Sequence, residues 1–155
     1  WLLLALVGWA ARRPAPLVWC SWETLAAQLA RAGGGGNDRV VTVYAGEELA
    51  AYHLWHALDG QEGGGAKFRV AVVKNVPGLV EDRAFFLPRG FDEIGVESAD
   101  AALGGDDFWI AFRAPAADTD HPLLRALAAR GYQTWQRFEA TAQGQRVTLV
   151  RATRR

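Results

Sequence analysis

The chain has 155 residues and a formal net charge of zero; half of it is apolar and 22% is charged. That length suits one domain with a buried core, and the composition excludes general disorder. The charge balance argues against a nucleic-acid partner, whose electrostatic footprint is a basic excess.

The single cysteine, Cys20, cannot form an internal disulfide or hold a structural zinc alone. It is expected to be a small, partly buried apolar residue. The chain neither begins with Met nor contains one and is read as part of something longer. Trp1 to Ala11 are almost wholly apolar, shorter than the roughly 20 residues a membrane-spanning helix needs. Residues 1–13 are therefore read as the end of a transmembrane helix. Arg12 and Arg13 flank its exit, and Pro14 and Pro16 stop it. A linker follows over 14–20 and a soluble α/β domain over 21–155.

Within that domain, Ser21 to Ala32 predicts an amphipathic helix, with Trp22, Leu25, Ala26 and Leu29 on one face. Gly33 to Gly36 end it. These glycines follow a helix and precede a strand, the reverse of a phosphate-cradling loop. Gly63 to Gly65 occupy the same kind of position. The β-branched run Arg39 to Ala45 predicts the first strand and the centre of the sheet. Its turn, Gly46-Glu47-Glu48, offers two carboxylates where a nucleotide fold needs glycines, and these would repel a pyrophosphate.

A second helix is expected from Glu47 to Leu58, with Ala51, Leu54, Trp55 and Leu58 buried. His53 and His56 fall off that stripe; without H-E-x-x-H or a third ligand they predict solvated or hydrogen-bonded side chains. Lys67 to Val73 predicts a strand, Lys74 to Gly90 a long loop with room for one short helix, and Phe91 to Leu103 a stretch containing a weakly patterned helix. Asp106-Asp107 reads as a solvated turn before the strand Phe108 to Phe112. A helix from His121 or Pro122 to Arg130 follows, with Pro122 in its first turn and Gly131 beyond its end. Two strands, Tyr132 to Ala140 and Gln145 to Ala152, close the chain as a hairpin.

The fold class is therefore α/β: a small three-layer, Rossmann-like, mostly parallel sheet with a C-terminal antiparallel hairpin, preceded by a truncated transmembrane helix. The expected strand order is two-one-three-four, with the last strand at the edge.

Several stretches look like a known family: Trp22-Glu-Thr-Leu-Ala-Ala-Gln-Leu29, Asp38-Arg-Val-Val-Thr-Val-Tyr44 with Tyr52-His-Leu-Trp55, Phe108-Trp-Ile-Ala-Phe-Arg113, Leu127-Ala-Ala-Arg-Gly-Tyr132 and Val147-Thr-Leu-Val-Arg151. Together they resemble the C-terminal extracytoplasmic domain of GT-C, family 39, protein O-mannosyltransferase-like bacterial membrane glycosyltransferases. The resemblance implies an accessory domain of an enzyme that transfers sugar from a polyprenyl-phosphate donor, on the extracytoplasmic side of the cell membrane. It implies the membrane and a lipid-linked sugar or glycan acceptor as partners. The catalytic carboxylate of that family lies in an earlier loop, so no catalytic residue, cofactor site or metal site is assigned here.

Two other readings compete: a membrane-tethered, non-enzymatic interaction or sensor domain, and a small free-standing α/β enzyme. The nucleophile pattern G-x-S-x-G is absent. Any ligand is expected in the crevice at the carboxyl ends of the strands, where Tyr44, Glu47, Glu48, Lys74, Asn75 and Arg113 are expected to meet.

Overall fold

The computed structural model describes residues 21–33, 40–59, 67–79, 93–115, 120–142 and 145–154. The readings of residues 1–20 as a helix end and linker lie outside the described residues, Cys20 included. So do the glycines at 34–36 and 63–65 and most of the 74–90 loop.

The elements, in chain order, are α1 (Ser21–Gly33), β1 (Val40–Ala45), α2 (Glu48–Asp59), β2 (Lys67–Lys74), β3 (Gly95–Ser98), α3 (Ala99–Ala102), β4 (Asp107–Pro115), α4 (Pro122–Ala129), β5 (Tyr132–Ala142) and β6 (Gln145–Arg154). They form one six-stranded sheet in the order β3-β2-β1-β4-β6-β5. Strands β1 to β4 run parallel. β6 is antiparallel to both β4 and β5. The α/β class, the mostly parallel sheet and the C-terminal hairpin are as the sequence predicts.

Alternation along each strand builds two cores. On one face Val41, Val43, Val70, Val72, Trp109 and Leu149 pack under α1 and α2. On the other, Ala71, Val73, Ile110, Phe112 and Val150 pack under α3 and α4, with Leu123 and Leu127 from α4. Strands buried on both faces read as continuous apolar runs, which is why β1, β2 and β4 stand out in the sequence.

Three expectations are corrected. First, the last strand is not at the edge. β6 sits between β4 and β5, because Val147 and Leu149 feed one core while Val150 and Ala152 feed the other. Second, the helix expected within 91–103 is a single turn, and a strand precedes it. The stretch holds the short edge strand β3 and the one-turn helix α3, capped by the Ser98 hydroxyl accepting from the Ala101 N–H at 3.3 Å. Third, Asp107 is exposed as expected but is not a turn residue. It is the first residue of β4, and Arg151 from β6 donates to both its carboxylate oxygens at 2.7 and 2.5 Å.

The free edge of β5 is irregular. The pairing with β6 shifts register between Trp135 and Arg137, and Gln136 at that bulge has φ of 52°. Trp135 is 50% exposed. Its indole N–H donates to the Thr153 hydroxyl at 3.1 Å, and the Arg151 guanidinium lies 4.7 Å from its ring centre.

Candidate functional site

The site forms at the carboxyl ends of the parallel strands, where an open α/β sheet gathers its ligands. β1 ends at Ala45 and the chain turns through Gly46 and Glu47 into α2. The Gly46 N–H donates to the Ala111 carbonyl at 3.0 Å, and the Ala51 N–H to the Glu47 carbonyl at 3.0 Å, which starts the helix. A glycine is needed at 46 because α4 packs down on this turn. A Cβ there would lie 2.6 Å from Leu123 Cδ1, and Leu123 is fully buried. Gly46→Ala is expected to cost roughly 1–2 kcal/mol through this overpacking, as a lower urea midpoint with an unchanged slope.

Two ion pairs tie the start of α2 to the strand ends. Arg113 of β4 donates from Nε and a terminal nitrogen to the two oxygens of Glu47, at 2.9 and 3.1 Å. Lys74, the last residue of β2, donates to Glu48 at 2.8 Å. The fork-to-carboxylate geometry of the first pair is the stronger and more directional. Of the residues expected in the crevice, these four come together as two couples. Tyr44 does not join them. It faces the α3–α4 side, where its hydroxyl donates to Glu97 at 3.3 Å and its ring meets Phe108 edge-on at 5.3 Å. Burial, then the Glu97 charge, pushes its phenol up from the ordinary value. Asn75 follows β2 in a left-handed conformation, φ 62°, which Asn tolerates better than most residues.

Beside the Glu47–Arg113 pair lies an open crevice of about 310 Å³. Gly46, Phe112 and Ala114 line it on the sheet side, and Asp120, His121 and Pro122 on the α4 side. The Phe112 and His121 rings stack at 4.2 Å and 19°. His121 is also the N-cap of α4: its Nδ1 accepts the Leu123 N–H at 3.3 Å, with Pro122 following at the first helical position. An imidazole that accepts at Nδ1 carries its hydrogen on Nε2 when neutral. Its basic lone pair is therefore already engaged by the Leu123 N–H. Asp120 accepts from Arg125, one turn into α4.

The sequence reading missed Phe112 and His121. The usable signal was positional: the end of β4 and the start of α4 must share the carboxyl edge, so Phe112 and the Asp120-His121-Pro122 triplet converge there. His53, on α2, is a neighbour of the ion pair rather than part of the crevice. Burial lowers its pKa, and the charges of Arg113 and His56 add to that. Among the described residues no group of three or more His, Cys, Asp and Glu is placed to hold a metal ion.

No family model matches the chain, and no curated protein does. Its fold is similar to solved structures of magnesium protoporphyrin IX methyltransferase (ChlM) from Synechocystis PCC 6803. The form with bound SAH aligns with a TM-score of 0.45 at 9% identity, over 88% of this chain and 83% of that one. The form with bound SAM gives 0.38 at 11% identity, over 88% and 79%.

These findings correct the resemblance to family 39 glycosyltransferases. Methyltransferase structures stand where a glycosyltransferase domain was expected, and no family model supports the match. The physical reason lies in the stretches themselves: apolar strands and tryptophan-led amphipathic helices are what any small parallel sheet with covering helices requires. The transmembrane reading loses the support that this family lent it. Among the described residues no helix is long and apolar enough to cross a membrane.

Proposed function

We propose that this chain is a small α/β enzyme domain that seats a flat, ring-bearing small molecule in the crevice between β4 and α4, against the His121 ring. The observation that carries this reading is the Phe112–His121 stack at the carboxyl edge of the sheet, beside an open cavity. A volume of about 310 Å³ is at the lower end of small-molecule sites, which run from about 300 to 1,000 Å³. It suits one fused ring with a short substituent.

The chemistry of the lining supports a ligand without phosphate. The Glu47 and Asp120 carboxylates both face the mouth, each matched by one arginine. Among the described residues that line it, a pyrophosphate would meet two carboxylates and no surplus cation. An aromatic ring, by contrast, finds a stacking partner in the half-buried His121 ring, which is backed by the buried Phe112.

Titration of the ¹⁵N-labelled chain with tryptophol, an uncharged indole alcohol, tests this. Amide shifts are expected at Gly46, Arg113, His121 and Leu123, and they should vanish in Phe112→Leu. His121→Asn, which keeps an oxygen acceptor at the N-cap, should keep the fold and weaken binding. Shifts scattered over the surface, or none at all, would overturn the reading.

A further inference from the structure

Besides β4 and α4, the crevice has a third wall. The turn after β2 contributes Gly78 and Leu79 to its lining. In that turn the Leu79 N–H donates to the Val76 carbonyl at 3.1 Å, and Gly78 has φ of 79°. With Pro77 in the second place and a glycine in the third, this is the type II pattern, whose third residue takes a positive φ. Val76 is buried in the core under α3 and α4, and Leu79 packs against the same core. The bare Gly78 lies against α4: a Cβ there would sit 3.5 Å from Arg125 Nη2 and 4.0 Å from Pro122 Cβ. The turn is thus anchored at both ends, and it presents Leu79 to the crevice from a tight, core-held loop.

Among the described residues that line the crevice, Leu79 is the only one with a branched aliphatic side chain. Gly46, Ala114 and Pro122 are short, and Phe112 lies buried behind the His121 ring. Leu79 is half-buried, so part of its side chain stays open to a ligand.

We infer that Leu79 is the specificity-determining residue of this crevice: it meets the rim of the ligand's ring and sets how wide that ring can be. The inference rests on the crevice reading above and adds the residue that gauges size. A leucine packed on the core yields little to an extra methyl, and a misfit of one carbon in an apolar pocket is worth about 10–200-fold.

Titrating the ¹⁵N-labelled chain with tryptophol and with its four isomers methylated on the benzo ring tests this without assuming how the ring lies. At least one isomer should bind about tenfold or more weaker than tryptophol. Leu79→Ala should bring that isomer to within about threefold of tryptophol, and Leu79→Val should relieve part of the penalty. A loosened fold would weaken all the compounds alike, so the ratio of isomer to parent reports the contact itself. Equal binding of every compound by the unaltered chain, or a penalty that survives both substitutions, overturns the gauge while leaving the crevice in place. Loss of all binding in both variants makes Leu79 a residue of the fold and overturns the gauge as well. Failure of tryptophol to bind the unaltered chain overturns the crevice itself and this inference with it.

Discussion

Leu149→Ala is expected to cost about 2–5 kcal/mol, a large share of the stability of a domain this size. Leu149 is fully buried in the core under α1 and α2, on the strand that joins the parallel part of the sheet to its edge. Truncation leaves a cavity with β4 on one side and β5 on the other, and neither paired strand can close it without breaking its own ladder. Trp135→Ala, on the outer strand, should cost under about 1 kcal/mol even though it removes more atoms, because the ring is half exposed. The two variants together test the strand order. If urea unfolding shows Trp135→Ala as the more damaging, the 132–142 strand is interior and the order is wrong.

The second large effect is expected at the turn into α2. Glu47→Gln removes the carboxylate that receives both Arg113 bonds. A hydrogen bond to a charged group contributes about 1.5–3 kcal/mol, and here the guanidinium stays behind partly buried. The change also reaches His53, whose pKa is held low by burial first and by Arg113 next. Without Glu47 the Arg113 charge acts on His53 unopposed, so that pKa should fall further. The sign of the stability effect follows from linkage. The unfolded chain takes up a proton near the ordinary value of 6.5, while the folded chain resists until lower pH. Stability is therefore full above about 6.5 and is lost as pH falls from there through the folded pKa. Glu47→Gln should deepen this acid-side loss, and His53→Phe should remove the part due to His53. An NMR titration of the His53 ring gives the pKa directly; an unchanged or raised value in Glu47→Gln would break the link drawn between Arg113 and His53.

Much of the fold was legible in the chain because its parallel strands are apolar on both faces. β3 was not, since Gly95-Val-Glu-Ser98 offers one apolar side chain, and that one, Val96, is exposed at the edge. The position of β6 was hidden by Thr148. A threonine alternating with Val147 and Leu149 reads as a wet face, yet this hydroxyl is buried at little cost because Glu139 receives its hydrogen. In the site, Glu47 and Arg113 were legible from the rule that ligands gather at strand ends. Tyr44 was misplaced by ignoring alternation: Val43 and Ala45 face α2, so Tyr44 must face away. The Phe112–His121 stack could not be read from either residue alone, because it depends on how closely α4 settles on the Gly46 turn.

The kink at Gln136 bears on how this molecule behaves in a crowd. A strand of eleven residues at a sheet's rim, carrying a tryptophan, is a ready template for end-to-end fibre growth between copies. The residue out of step there throws off the spacing of the outward N–H and C=O groups, so an incoming strand meets a matched row on one side of the kink only. Straightening it, by deleting Gln136, would extend the template along the whole strand and leave the edge prone to stacking.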